Sequence, residues 1–469
     1  MNFHLLHMMW IALVKTLTTC KQIVKCHKKM RSVFNWGTKS TTDDSAATSN
    51  IGDNDALSLC VFEEVDEMLD ASSMIYAFAQ LRHLSREGQL PSSLLDLPIA
   101  VNDAARVICE NVEAIKASLG DNDANMVVDV LRGMEQKSKV GCALGPRGIN
   151  DFISSGSNIA TLEVFGDNSS LEELVYAIAV NPKRKRITVT FRGSVTSKDW
   201  MTDAMITLKN IPNPAAKYKD QPKTISIHTG FHDYLLGTKF GDGEKTIVSK
   251  CDEILSIVIK QLLKYPGFQL YITGHSLGGA LSTLFSFYVA ASDNPNITKP
   301  VKCVSIASPK VGSMSFFKAY QALEREGKIR HLRVSNDKDL VTQVPDRSSF
   351  SAAYVVVAQS SIFRHVGMNL TLYEDQKLFK IIYPDLDSGY TNVLSKDMKN
   401  MVERAKYLTT EAPKLLCCGN LDLVSYHGCF EYKRRLIQSE KQLRQLAIKE
   451  LYKRVEDKKN RDVVLADGR

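Results

Sequence analysis

The sequence Gly-His-Ser-Leu-Gly at residues 274–278 is the segment with the clearest capacity for chemistry. A serine between two glycines acts as a nucleophile when a strand precedes it and a helix follows it, because the tight turn lifts its hydroxyl above the sheet. Residues 268–273 have the apolar pattern of such a strand, and residues 282–291 have that of an apolar helix. The context therefore predicts that Ser276 is a nucleophile at a helix N-terminus, where backbone N–H groups favour negative charge.

The segments on either side of Ser276 alternate between strands and helices. The pattern after residue 146 predicts strands at 175–180, 187–191, 268–273, 301–306 and 329–334. It predicts helices at about 244–265, 282–291 and 315–326. Strands that alternate with helices indicate the α/β class, with a mostly parallel central sheet that is covered by helices on both faces.

The rest of the chain divides into extensions on both sides of this segment. We expect a basic targeting or membrane-anchoring segment over 1–42, and a linker with a helical extension over 43–150. The α/β domain is expected over 151–432, and a C-terminal segment over 433–469 contains a charged helix at 433–460. Within the helical extension, helical periodicity occurs at 57–69, 72–84, 104–119 and 126–134.

The net charge of +8 belongs to the two ends of the chain. Residues 1–42 contain seven Lys or Arg and no acidic residue, and residues 433–469 contain twelve basic and six acidic residues. The middle of the chain therefore has a net charge of −5, which is unsuited to a nucleic-acid groove, and we expect no nucleic-acid partner. Zinc-type spacings, HExxH and the P-loop are all absent from the sequence, so we expect neither a metal nor a cofactor.

The N-terminal segment has several interpretations. Residues 3–14 form an apolar run that is too short to span a bilayer comfortably but fits the core of a signal peptide. The acid-free basic stretch that follows also fits an organelle transit segment or an interfacial anchor. Localisation stays open: association with an intracellular membrane surface is favoured, and a secretory or organelle-targeted N-terminus is the alternative.

Four blocks of sequence accompany the serine in a fixed order. They are Phe-Arg-Gly-Ser at 191–194 with Asp-Trp-Met-Thr-Asp at 199–203, His-Thr-Gly-Phe at 228–231, Gly-His-Ser-Leu-Gly-Gly-Ala at 274–280 and Ala-Ser-Pro-Lys-Val-Gly at 307–312. Together they resemble the fungal-type triacylglycerol lipases of the class 3 lipase family. The resemblance covers about residues 170–432 and implies an α/β-hydrolase fold, and the two extensions resemble diacylglycerol-lipase-like members.

Ester hydrolysis by a serine requires donors that hold the oxyanion and an acid–base pair that moves the proton. The resemblance implies that the backbone N–H groups of Ser194 and Leu277 form the oxyanion hole, with the Ser194 hydroxyl assisting. The acid is expected to follow the serine in the chain. Asp339 resembles the acid segment of the family, and we favour it over Asp337 and Asp346.

Two histidines near the C-terminal end are candidates for the base. His427 resembles the final block of the family, and a late loop allows a base to reach over the serine. His365 is the alternative, although it resembles a segment that usually lies on a structural strand. Tyr426 precedes His427 where many relatives carry Asp, so both candidates stay open. His228 and His275 are interpreted as structural.

Residues 195–208 correspond to the lid of the family. Trp200, Met201 and Met205 lie among charged residues there, and this amphipathic composition suits a segment that opens at an oil–water surface. The expected function is that of a serine hydrolase, a lipase that cleaves carboxylic esters of di- or triacylglycerol through an acyl-enzyme intermediate.

The expected partners are a lipid substrate and a membrane or lipid-droplet surface, and no required protein partner is evident. A phospholipase A1 or galactolipase is the alternative within the enzymes. A non-catalytic lipase-like scaffold is the alternative of another class. The sequence does not indicate the lipid head group.

Overall fold

Ser194, Ser276 and Asp339 each follow a parallel strand in the computed structural model. It describes residues 59–119, 126–142, 159–167, 174–195, 207–239, 248–339, 341–343, 345, 363–374, 379–382 and 426–456. All of these belong to one unit, residues 58–346 and 360–469. The segment 1–42, Asp346 and the lid residues Trp200, Met201 and Met205 lie outside the described residues.

Strands in the described ranges are short, as is usual for a twisted sheet. They are β1 (Ile99–Ala100), β2 (Thr161–Gly166), β3 (Tyr176–Asn181), β4 (Arg186–Phe191), β5 (Leu208–Pro212), β6 (Thr224–His228), β7 (Thr238–Lys239), β8 (Val248–Ser249), β9 (Gln269–His275), β10 (Val301–Ile306), β11 (Ile329–Asn336), β12 (Met368–Leu372) and β13 (Phe379–Ile382).

Helices precede, connect and follow these strands. They are α1 (Val61–Arg86), α2 (Val101–Glu110), α3 (Val112–Leu119), α4 (Met126–Cys142), α5 (Thr229–Leu235), α6 (Lys250–Lys264), α7 (Leu277–Ala291), α8 (Met314–Arg325), α9 (Cys429–Gln438), α10 (Glu440–Leu443) and α11 (Ile448–Glu456). None of the helices in the described part of the chain combines the length and the apolar character needed to span a bilayer.

A nine-stranded sheet in the order β1-β2-β3-β4-β9-β10-β11-β12-β13 forms the centre of the fold. Strands β4, β9, β10, β11 and β12 pair in parallel, whereas the outer strands pair antiparallel. The predicted α/β class with a mostly parallel sheet is confirmed. Because β4, β9 and β11 run in the same direction, the residues that follow them meet at one edge of the sheet.

Alternate residues of the strands point into separate cores, as the pleat requires. Ile178 of β3 and Ile272 of β9 belong to the core formed with α6, α7 and α8. On the opposite face, Ala177 of β3 packs with helices α1–α4, and Tyr271 of β9 packs with α1 and the C-terminal helices. We call α1–α4, residues 61–142, the N-terminal helical layer.

Several helix boundaries differ from those expected. The predicted helices at 57–69 and 72–84 form one helix, α1, because the Ser73 hydroxyl donates to the Leu69 carbonyl (2.7 Å) and is accommodated inside it. The predicted helix at 104–119 is split into α2 and α3 at Asn111, whose side chain bonds back to the Val107 carbonyl. The charged C-terminal helix consists of α9, α10 and α11, and it begins at Cys429.

Helix α1 is buried on nearly all sides, although it carries several acidic residues. Lys433 of α9 forms ion pairs with Asp66 and Asp70 of α1, and all three residues are less than 10% exposed. Two negative charges and one positive charge are thus held away from water, where each charge depends on its partner. This cluster attaches α9 to α1.

Lys433→Met should lower the free energy of unfolding by about 3–5 kcal/mol, because two buried carboxylates would lose their cation. Chemical denaturation of wild type and variant measures this loss. Lys209→Met is the control, since Lys209 pairs with Asp233 at the surface and its loss should cost less than about 1 kcal/mol. Equal losses in the two variants would contradict the expectation.

Candidate active site

Ser276 occupies the turn between β9 and α7 in a backbone conformation that L-residues rarely adopt. Its φ is 59° and its ψ is −126°, and the side chain is buried. Such a conformation costs about 1–3 kcal/mol and persists only where the surroundings hold it. Here the Ser276 N–H donates to the Ile306 carbonyl (3.0 Å), and the Ser276 carbonyl accepts the N–H of Gly279 (2.9 Å). This is the geometry of a nucleophile elbow.

Two glycines allow the elbow to form between closely packed backbones. A Cβ atom at Gly274 would collide with the carbonyl oxygen of Gly278, and one at Gly278 would collide with that of Phe191. Both obstacles are backbone atoms, which cannot move aside as a flexible side chain can. The start of α7 therefore lies directly against the end of β4.

The predicted oxyanion donors lie on these two elements. Ser194 is buried and follows β4, and Leu277 is the first residue of α7, where backbone N–H groups lack helical partners. A Cβ atom at Gly193 would lie 3.1 Å from the Cβ of Ser276. The segment that ends in Ser194 is thus brought beside the candidate nucleophile.

Asp339 follows β11 and is 1% exposed. One of its carboxylate oxygens, Oδ2, accepts hydrogen bonds from His427 Nδ1 (2.9 Å) and from the Tyr432 hydroxyl (2.7 Å). The other, Oδ1, accepts the N–H of Val341 (2.9 Å). An imidazole that donates from Nδ1 presents Nε2 as a proton acceptor, which is the tautomer that a general base requires.

The rival acid and the rival base have other contacts. Asp337 forms an ion pair with Arg435 (2.5 Å). His365 Nε2 donates to the Thr342 carbonyl (2.6 Å), and burial together with the positive charge of Arg333 holds its pKa well below the usual range. The contacts of the described residues therefore join Asp339 to His427 and engage His365 elsewhere.

His275, which precedes Ser276, is completely buried. Its Nε2 lies 2.8 Å from the carbonyl oxygen of His427, and the two rings are 4.6 Å apart. Burial lowers the pKa of His275 well below the usual range. The ring thus connects the nucleophile strand to the segment that carries His427. His228, by contrast, stacks on Phe231 at 4.4 Å, in keeping with a structural residue.

Tyr432 is a site residue whose role the sequence did not indicate. Burial, and then the charge of Asp339, raise its pKa well above the usual range, so its hydroxyl stays protonated and donates to Asp339. The same hydroxyl accepts the N–H of Asn336 (3.0 Å). Tyr432 therefore orients the acid relative to β11. Within the described ranges, no group of three His, Cys, Asp or Glu side chains is arranged to hold a metal ion.

The family model described as "Lipase (class 3)" matches residues 188–349 of the chain. That range contains the elbow at Ser276 together with Ser194 and Asp339. Residues 188–349 of the chain thus match the class 3 lipase family. His427 and the N-terminal helical layer lie outside the matched range.

Curated relatives resemble part of this chain. It is 32% identical to phospholipase A1-Ialpha2, chloroplastic, of Arabidopsis thaliana over 203 residues, which are 40% of each chain. It is 30% identical to Galactolipase DONGLE, chloroplastic, of the same plant over 206 residues, 40% of this chain and 41% of the relative. The match thus spans about two fifths of the length of these relatives. Among solved structures, the triacylglyceride lipase of Rhizomucor miehei is 20% identical with a TM-score of 0.35, over 46% of this chain and 67% of that one.

Proposed function

We propose that this chain is a serine hydrolase that cleaves carboxylic esters of glycerolipids through an acyl-enzyme intermediate. The observation that carries the proposal is the buried hydrogen bond between Asp339 and His427, on a segment that is tied to the residue before Ser276. A strained serine at a helix N-terminus with an oriented imidazole close by is the arrangement that activates a hydroxyl.

In the proposed mechanism, Ser276 Oγ attacks the ester carbonyl carbon while His427 Nε2 takes the hydroxyl proton. The oxyanion that forms accepts hydrogen bonds from the N–H groups of Ser194 and Leu277, which are fixed before the reaction begins. Collapse of the tetrahedral intermediate breaks the ester C–O bond, and His427 gives its proton to the departing alcohol. Water, activated by the same imidazole, then cleaves the acyl-enzyme, releases the fatty acid and restores Ser276.

The charge changes in this mechanism assign a role to Asp339. The imidazole becomes a cation in each transition state, and the buried carboxylate stabilises that cation through Nδ1. Tyr432 and the Val341 N–H hold the carboxylate in place, so little reorganisation is required when the charge appears.

We further propose that the substrate is a long-chain acyl ester at a lipid surface, with a membrane or lipid droplet as the physical partner. Di- or triacylglycerol is the substrate expected from the resemblance to fungal-type lipases. The names of the plant relatives support phospholipid and galactolipid esters equally. The head group is therefore a question for experiment, and the acyl ester is the part of the proposal that the candidate site supports.

A fluorophosphonate probe tests the proposal on the folded full-length chain. Wild type should be labelled at Ser276, and Ser276→Ala should not be labelled. Ser282→Ala is the matched control, because Ser282 is a buried serine of α7 that donates to the Gly279 carbonyl. It should keep wild-type labelling. Folded wild type that is not labelled would overturn the enzyme proposal in favour of a non-catalytic scaffold, and mass spectrometry over a panel of glycerolipids identifies the head group.

A further inference from the structure

Tyr76 of α1 belongs to a chain of hydrogen bonds that passes beneath the candidate nucleophile. His275 Nε2 faces the carbonyl oxygen of His427, which can only accept, so Nε2 carries the proton. Because His275 is neutral, its Nδ1 is then an acceptor, and it accepts a hydrogen bond from the Tyr76 hydroxyl (3.1 Å). The Tyr76 oxygen also lies against Gly193, where an added Cβ atom would be 2.2 Å from it.

The direction of both hydrogen bonds is thus determined, from the Tyr76 hydroxyl through the His275 ring to the His427 carbonyl. At the other end, the Tyr76 oxygen contacts Gly193. Gly193 precedes the oxyanion donor Ser194, and His427 is the proposed base. The Tyr76 hydroxyl therefore connects the segment that carries Ser194 to the segment that carries His427, across the end of β9.

Asp129 of α4 makes a second and independent connection to the same segment. Its carboxylate Oδ2 accepts the N–H of Phe430 (3.1 Å), and the carboxylate also accepts the N–H of Cys429. A Cβ atom at Gly428 would collide with the Asp129 side chain, so the two chains are in close contact there. Asp129 caps the N-terminus of α9, two residues after His427.

Both residues lie in the N-terminal helical layer, outside the range that matches the family model. The layer contacts the His427 segment directly at Gly428 and at the N–H of Phe430, and it reaches the carbonyl of His427 through the His275 ring of β9. Lys433, one helical turn further on, is paired with Asp70 of α1. The segment thus depends on this layer for its position.

We propose that Tyr76 and Asp129 are positioning residues that hold His427, and with it the proton-transfer geometry, over Ser276. The proposal rests on the proposed function, in which His427 is the base. Neither residue touches the reacting atoms. Tyr76 acts through the His275 ring on the carbonyl of His427, and Asp129 acts on the backbone N–H of Phe430. Misplacement of a catalytic group by about 1 Å can cost about 100-fold in rate, so small changes in these contacts should be measurable.

Tyr76→Phe removes one oxygen atom from the chain of hydrogen bonds. We expect kcat for ester hydrolysis to fall by about 10–100-fold with KM changed less than about twofold, and labelling by fluorophosphonate to slow by the same factor as kcat. Tyr320→Phe is the matched control. The Tyr320 hydroxyl also bonds to Nδ1 of a buried histidine, His331 (2.9 Å), in the core between α8 and β11. Tyr320→Phe should lower Tm by about as much as Tyr76→Phe does, but it should leave kcat unchanged.

Asp129→Asn keeps an oxygen that can accept the N–H of Phe430 but removes the negative charge. A neutral amide binds the N–H of Phe430 less strongly than a carboxylate does, so the segment that carries His427 should be held less firmly. We expect kcat for ester hydrolysis to fall by about 3–10-fold with KM changed less than about twofold. Asp103→Asn, on the exposed surface of α2, is the charge control and should leave kcat unchanged.

The Tm of Asp129→Asn shows whether Asp129 positions His427 or only supports the stability of the fold. Burial raises the pKa of Asp129 from 3.8 to about 6, so the folded protein binds this proton more tightly than the unfolded chain. Deprotonation of this carboxyl therefore lowers the free energy of unfolding as pH rises from 3.8 through about 6. At pH about 7.5, above that window, Asp129→Asn should have a Tm no lower than wild type while its kcat is lowered.

The combined results distinguish the two proposals. Wild type that neither labels nor hydrolyses lipid would overturn the proposed function. Active wild type whose Tyr76→Phe and Asp129→Asn variants match their controls in kcat would overturn the positioning proposal alone. If Tyr76→Phe does not fold, Asp129→Asn decides. Carbon-13 NMR of histidine Cε1 in Ser276→Ala follows His427 without substrate, and Asp129→Asn on that background should change the Cε1 chemical shift of His427 at a fixed pH, whereas Asp103→Asn should not.

Discussion

His427→Ala should lower kcat/KM for ester hydrolysis by about 10⁴-fold or more, with little loss of binding for the lipid substrate. The reason is that no other described histidine is bonded to Asp339, and removal of the imidazole leaves Ser276 with no group to take its proton. Residual turnover would come from the oxyanion donors and from substrate binding. Initial rates over a range of substrate concentrations, on protein of known fold, give the measurement.

His365→Ala is the control that tests the choice of base. His365 donates to the Thr342 carbonyl, so its removal should leave a buried acceptor unsatisfied and lower the free energy of unfolding by about 1–3 kcal/mol. Its kcat/KM at a temperature well below Tm should stay within about tenfold of wild type. If His365→Ala loses the activity and His427→Ala retains it, the assignment of the base is wrong.

Local patterns were sufficient to predict the α/β class and the turn at Ser276. Both depend on residues that are near one another in the chain: apolar strand 268–273, two glycines and the apolar helix that follows. Family resemblance adds Ser194 and Asp339, because each lies in a short block next to a strand end. The same local reasoning divided α1 into two helices, since it could not anticipate that the Ser73 hydroxyl would bond within the helix.

The sequence could not predict contacts between distant segments. Tyr76 and His275 are 199 positions apart, and Asp129 and Phe430 are 301 apart. No spacing rule connects such residues, and Tyr76 and Asp129 have an ordinary appearance in their helical patterns. The choice between His365 and His427 was open for the same reason. It depends on which ring approaches Asp339, and the described contacts favour His427.

Asp339→Asn is the second change for which we expect a very large effect, with kcat lowered by about 10⁴-fold. The carboxylate accepts a hydrogen bond from Nδ1 of His427, whereas an amide in its position can turn its NH₂ group towards the ring. Nδ1 would then accept, and Nε2 would carry the proton and could no longer remove one from Ser276. The cation that forms in the transition state would also lose its buried counter-charge.

Asp337→Asn is the matched control for this prediction. Asp337 lies two residues before Asp339, was the rival acid in the sequence and pairs with Arg435 at a partly exposed position. Its kcat should stay within about tenfold of wild type. Asp339→Asn should still fold, because the amide oxygen can occupy the Oδ1 position and accept the Val341 N–H. A loss of kcat no larger than that of Asp337→Asn would show that the buried Asp339–His427 bond supports the fold and not the proton transfer.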